Sequence, residues 1–305
     1  MTATHARLAH DVERAAQRTA TSALAAVVIE DRAIAASGSF GCGVGPDTVF
    51  AVASLSKPVF AHAALRLSTR GQLDLDTPLI ELDPAPYVPD RIDPDAPDLR
   101  RITARHVLSH TSGLGNWQDA DVGRIGFLPG SRWHYSGDGF LYLQSVVEHL
   151  TESPLEVLAE TEVLRPLSMD STSYFWRATR GVRAEGHEFS KAAAAYSLHT
   201  TASDYARFVI DAMRSEVGSK MLEPQVAIDG SLAWGLGWGI AGRVFWHWGE
   251  IDRFACAAVG SRETGRGLVC LARGDDGLDA CAEILRSSLG GEYSYPISAV
   301  LERGW

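Results

Sequence analysis

Ser54 and Lys57 stand three positions apart in FAVASLSKPVFAHAALRL (50–67), and Lys57 is the first of only three lysines in a chain with twenty-five arginines. On a helix, residues three apart share a face, so the hydroxyl and the amine can meet. A serine at a helix start also lies where backbone N–H groups and the helix dipole stabilise a developing negative charge. The small and apolar residues around this helix predict burial, which strips water from the amine, lowers its pKa and lets it accept the serine proton. Arginine keeps its charge under any protein condition, which gives an arginine-rich chain a reason to hold lysine here. The competing reading, a solvated lysine near a helix start, predicts an exposed ammonium instead.

Two later stretches carry compatible groups. In FLPGSRWHYSGDGFLYLQ (127–144), Tyr135 follows a Pro-Gly turn and precedes a helix, so its phenol is expected to project from a loop. With its pKa lowered by a nearby cation, that phenol would relay protons to a leaving group. In VFWHWGEIDRF (244–254), His247, Trp248 and Gly249 lie on a strand, with the glycine where a substrate backbone can approach. His247 is expected to present a polar or cationic group to a cleft, and the N–H of Glu250 to pair with that of Ser54 as an oxyanion hole. Taken singly, the tyrosine also reads as a loop residue and the histidine as an edge-strand residue.

Several chemistries are excluded by pattern. His187-Glu188 begins a zinc-protease motif, but Lys191 stands where its second histidine belongs. No serine lies in G-x-S-x-G, and there is no phosphate loop or dinucleotide fingerprint. A net charge of −10 with no basic run argues against nucleic acid as a partner. No stretch is apolar and long enough to span a bilayer. The first 22 residues lack an apolar signal segment, and Cys42, Cys256, Cys270 and Cys281 lack C-x-x-C spacing, so a cytoplasmic protein with reduced thiols is expected.

The elements that must position these groups read as follows. Leu8, Val12 and Ala15/Ala16 fall on one face of an N-terminal helix. ALAAVVIEDRAIAASGSFG gives two strands around Glu30-Asp31-Arg32, and residues 54 to 70 a buried helix ended by Gly71. Residues 83 to 98, with five prolines, form a surface loop. From 102 to 215 the spacing is mainly helical, with a cap at Thr201–Asp204. After 230, short aromatic or β-branched runs alternate with turns and predict consecutive antiparallel strands, followed by a helix over 277–288. The class is therefore α+β: an antiparallel sheet flanked by helices, made of 1–70 and 225–305, with a mainly helical domain of 71–224 inserted.

The set SLSK (54–57), Tyr135-Ser136-Gly137 and His247-Trp248-Gly249 resembles the penicillin-recognising serine hydrolases. Within them it is most similar to the branch of class C β-lactamases, DD-carboxypeptidases, D-aminopeptidases and family VIII carboxylesterases. GQLDLDTPL (71–79), ITARHVLSHTSGL (102–114), TTASDYARF (200–208) and WGLGWG (234–239) extend the likeness in the same order. The resemblance implies a β-lactamase/transpeptidase-like fold with the active site between the sheet and the helical part. It also implies Ser54 as nucleophile, Lys57 as its base or as partner to a Tyr135 phenolate, His247 in the third motif, and no metal or cofactor. His110 to Leu114 reads as a structural turn.

Departures from the family pattern bear on substrate. Gly137 stands where many relatives carry an amide-binding asparagine. Trp248 replaces a small hydroxyl residue and Glu250 a small polar one, so an indole and a carboxylate are expected to obstruct a substrate carboxylate. Trp117, with Trp133, Trp238 and Trp246, is expected to favour an apolar acyl group unless these rings are ordinary core. The reading is a hydrolase of esterase or amidase type acting on a small-molecule ester or amide through acyl-Ser54. The alternatives are a β-lactamase or D-amino-acid peptidase, an acyltransferase, and a ligand-binding member without turnover. The residues set no oligomeric state.

Overall fold

In a computed structural model the described residues are 3–45, 47–83, 97–116, 125–176, 189 and 191–303. Eight strands form one antiparallel sheet: β1 (Ala23–Glu30), β2 (Ala33–Phe40), β5 (Val226–Ala227), β6 (Ala233–Trp234), β7 (Gly239–Ala241), β8 (Val244–Ile251), β9 (Phe254–Gly260) and β10 (Gly267–Arg273). Their order is β2-β1-β10-β9-β8-β7-β6-β5, so the N-terminal hairpin joins the C-terminal meander through β1 and β10. In that pairing Val27 faces Val269 and Ala23 faces Arg273. The hairpin turn holds Asp31 and Arg32 at φ +51° and +57°, the geometry that matches the twist of paired strands. A separate ribbon pairs β3 (Phe50–Ala51) with β4 (His199–Thr200).

Side chains alternate across the central strands, and both sides are buried. Leu24, Ala26 and Val28 join one apolar cluster, and Ala25, Val27 and Ile29 the other. The first cluster is covered by α1 (Ala3–Arg18), where Leu8, Val12, Ala15 and Ala16 are buried as the spacing predicts. α9 (Gly277–Leu289) and α10 (Gly291–Arg303) complete that layer. α10 forms from the tail, despite Pro296 inside it. Tyr293, Ile297 and Val300 are buried, and Arg243–Glu292 and Arg303–Asp229 ion pairs tie it to this chain.

The second cluster runs from the opposite face of the sheet into α2 (Ser56–Thr69), α4 (Ala104–Leu108), α5 (Asp138–Thr151), α6 (Leu155–Ala159) and α7 (Ala202–Arg214). α3 (Leu79–Leu82) and α8 (Glu216–Met221) are short. Within 71–224, α7 packs directly on β1, β2, β9 and β10. Thr201 caps it by accepting Asp204 N–H. Gly71, at φ +71°, follows α2, and its N–H reaches Ser68 O, closing the helix as a C-terminal glycine does. The proline-rich loop lies outside the described residues except for its ends. Among the described residues no helix is long and apolar enough to cross a membrane. The four cysteines are unpaired, three of them buried.

Candidate active site

Ser54 lies in a 3₁₀ turn over Ala53–Leu55, two residues before the start of α2 and not inside the helix as the spacing predicts. From Thr48 to Leu65 every residue is buried except Ser54. Ser54 is thus the one partly accessible residue of this stretch. Ala53 adopts φ +42°, a costly conformation for a residue with a β carbon that persists only where its surroundings over-determine it. They do so here. Val52 N–H donates to Leu198 O at 3.0 Å. Tyr205 Oη donates to Leu55 O at 2.9 Å, and Tyr174 Oη to Ser56 O at 3.0 Å. The Cys256 thiol reaches Val52 O at 3.1 Å.

Lys57 Nζ is 2.8 Å from Ser54 Oγ and 2.9 Å from Ala195 O. It is fully buried, and burial lowers its pKa well below 10.5. The Tyr135 and Phe140 rings, with centroids 4.7 and 5.8 Å from Nζ, pack beside it. As an ammonium, Nζ donates to both oxygens; once deprotonated, it keeps the bond to Ala195 O and turns its lone pair to the Ser54 hydroxyl. The Ala195 carbonyl is itself held in place. Gln144 accepts Ala194 N–H at 2.8 Å and donates to Ala192 O at 3.0 Å, and Ser197 Oγ accepts Ala193 N–H at 2.8 Å.

Tyr135 corrects an expectation. Its ring is half-buried, its hydroxyl oxygen is buried, and burial raises the phenol pKa, against a smaller downward pull from Ser54. No phenolate is favoured. Instead of projecting, the ring is enclosed by His110 at 4.3 Å, Trp248 at 5.0 Å, Trp234 at 6.0 Å and His247 at 6.1 Å between centroids.

The third stretch is corrected in four ways. His247 is fully buried, and burial together with the nearby Lys57 pushes its pKa down to about 3. It is neutral, with Nδ1–H assigned as donor to Trp248 O at 2.7 Å, so it brings no cation. Gly249 is required by this chain's own backbone: a β carbon there would stand 2.7 Å from both Ser54 N and Val52 O. Side chains alternate along β8, so with Gly249 against Ser54 the Glu250 carboxylate turns to the opposite face. Its pKa is raised by burial and by Asp279, at the start of α9. Trp248 also points there, stacked on Trp246 at 5.5 Å and only 4% exposed, and it supports Tyr135 instead of blocking an approach.

Gly137 is the N-cap of α5, buried and without a side chain to bind an amide. Trp238 and Trp246 are core residues, and Trp133 packs on Trp234 and Tyr135. Trp117 and His187-Glu188 lie outside the described residues.

A family profile described as Beta-lactamase matches residues 8–287. The chain belongs to the Beta-lactamase family. Esterase EstB of Burkholderia gladioli is 34% identical over 40% of this chain and 38% of its own length. The matched stretch thus spans well under half of that curated relative. Among solved structures, the octameric penicillin-binding protein homologue from Pyrococcus abyssi superposes with a TM-score of 0.77 at 16% identity, covering 97% of this chain and 77% of that one. A D-stereospecific amidohydrolase from Streptomyces sp. gives 0.76 at 21% identity, covering 93% and 98%. These likenesses establish the β-lactamase/transpeptidase fold for this family member.

Within the family fold, sequence reasoning misses Ala195, Gln144 and Cys256. A backbone carbonyl carries no side-chain signal, and Gln144 and Cys256 reach the site through partners far along the chain, at Ala194 and Val52. Cys256 Sγ lies 3.1 Å from Val52 O and 3.4 Å from Gly249 O, linking the Ser54 turn to β8. Burial raises its pKa, so it stays a thiol. Gly249→Ala is expected to destabilise the fold by about 1–3 kcal/mol, because backbone on both sides would have to give way. Thermal denaturation measures this, and an unchanged melting temperature would disprove the close approach.

Proposed function

We propose that this chain is a serine hydrolase of esterase or amidase type that acts through acyl-Ser54 on a small ester or amide. The 2.8 Å contact between Ser54 Oγ and a buried, deprotonation-prone Lys57 carries the reading. Ser54 Oγ attacks the carbonyl carbon while its proton passes to Lys57 Nζ. The oxyanion is received by the N–H groups of Ser54 and Glu250, brought near each other by the Gly249 approach. Collapse expels the alkoxide or amine, which takes a proton from the Tyr135 phenol, and the Lys57 ammonium passes the proton it took from Ser54 to the Tyr135 oxygen, leaving both residues as they began. The raised phenol pKa favours Tyr135 as donor and Lys57 as base. Water then attacks the acyl carbon by the reverse sequence and frees Ser54.

His247 adds no positive charge where a substrate carboxylate would be held, which supports an uncharged ester over a β-lactam or a peptide with a free C-terminus. The likeness to esterase EstB points the same way. The unpaired thiols support a reducing compartment such as the cytoplasm. The test is a panel of p-nitrophenyl esters, D-amino amides and nitrocefin, with intact-mass analysis after fluorophosphonate treatment. Esters should be turned over at least about 100-fold faster than nitrocefin, a gap typical of a lost charge-assisted contact. Comparable nitrocefin rates would reverse the substrate assignment, and an adduct retained in Ser54→Ala would remove the nucleophile.

A further inference from the structure

His110 performs none of the steps above, yet it holds Tyr135 from three directions. Its main-chain O accepts the N–H of His134, the residue before Tyr135, at 2.8 Å. Its Nδ1 accepts the N–H of Ser136, the residue after, at 3.0 Å. Its ring lies 4.3 Å from the Tyr135 ring with a tilt of 32°. The backbone on both sides of Tyr135 and the plane of its ring are thus referred to one residue, through its main-chain carbonyl on one side and its ring on the other.

Two properties of His110 set it apart from ordinary core packing. It is fully buried at φ +55°, a strained conformation for a residue with a β carbon. Its Nδ1 accepts a hydrogen bond, so the proton of the neutral ring belongs on Nε2. That buried Nε2 has no protein partner among the described residues. A protonated ring would carry hydrogens on both nitrogens and lose the Ser136 bond. The bond to Ser136 therefore depends on one tautomer of one ring.

We infer that His110 is a positioning residue for protonation of the leaving group, fixing where the Tyr135 oxygen points by bracketing residues 134 to 136. The inference rests on Tyr135 acting as the donor in the proposed reaction. Its kinetic mark is selective. A basic alkoxide needs a proton to depart, whereas p-nitrophenolate leaves without one, so damage to Tyr135 placement must fall on alkyl esters.

The experiment compares ethyl butyrate with p-nitrophenyl butyrate in wild type, Tyr135→Phe, His110→Ala, His110→Asn, His110→Gln and the double variant His110→Ala/Tyr135→Phe. Tyr135→Phe and His110→Ala are each expected to lower kcat/KM on ethyl butyrate by about 100-fold and on p-nitrophenyl butyrate by less than about 10-fold. Asparagine can place Oδ1 where Nδ1 accepts from Ser136, so His110→Asn should regain about 10-fold on ethyl butyrate, and the longer His110→Gln should not. The double variant should be no worse than Tyr135→Phe alone, because the two residues act as one unit.

If Tyr135→Phe shifts the ratio between the esters while His110→Ala does not, or if the losses multiply in the double variant, the His110 inference is overturned and the Tyr135 reading stands. If Tyr135→Phe itself leaves the ratio unchanged, the donor assignment fails and takes the inference with it. Should His110→Ala not fold, the other two substitutions decide: a faster His110→Asn upholds the inference, and equal rates in His110→Asn and His110→Gln overturn it.

Discussion

Ser54→Ala is expected to lower kcat on p-nitrophenyl butyrate by about 10⁴-fold or more, the scale of losing an attacking nucleophile. The fold should survive. Ser54 is the least enclosed residue between Thr48 and Leu65, and its turn is held by bonds from Val52, Tyr174, Tyr205 and Cys256 that the substitution leaves in place. The loss falls on the contacts of Ser54 Oγ with Lys57 Nζ and the Tyr135 phenol, about 1 kcal/mol for each hydrogen bond. A melting temperature lowered by only a few degrees beside an inactive enzyme separates chemistry from collapse. Turnover retained within 10-fold of wild type would show that another group attacks.

Lys57→Met is expected to do two opposite things. Loss of the base should reduce the rate of Ser54 acylation by about 10³-fold, within the range for general-base removal. The same change should raise stability by about 1 kcal/mol at neutral pH, because an apolar side chain of similar length replaces a buried amine. The pH dependence carries the sign. Burial holds the folded-state pKa of Lys57 well below 10.5, so between that value and 10.5 the unfolded chain binds one proton more. Stability from this group is fully present above 10.5 and is lost as pH falls through the window toward the folded pKa. Denaturant titrations of both proteins should show wild type gaining on the variant as pH rises. Parallel curves would mean that the amine is not desolvated in the folded state.

The sequence shows the pairing of Ser54 with Lys57 because a helical spacing is a local property, and burial of α2 follows from its lack of a polar face. The hairpin of β1 and β2 is equally local. What a sequence window misses is set by distant partners. The Tyr135 phenol is raised rather than lowered in pKa because residues at 110, 234 and 248 enclose it, and no window of sequence contains all of them. The Glu250 carboxylate reads as a cleft group only while its side chain is taken to follow its N–H. Strand alternation sends the side chain of Glu250 to the other face once Gly249 is known to abut Ser54. α10 is illegible in the sequence because Pro296 interrupts its pattern, while the core it fills is made by α9 and β8.

The seam between β1 and β10 has a kinetic consequence. Ser22 Oγ bonds Arg273 O across 251 positions of chain, and the Ala23–Arg273 pairing continues it strand-long. During synthesis the hairpin emerges early and waits with one long edge unsatisfied until the meander arrives. Closing so large a loop before any reward predicts slow acquisition of structure and a strand edge exposed to aggregation until the meander closes on it.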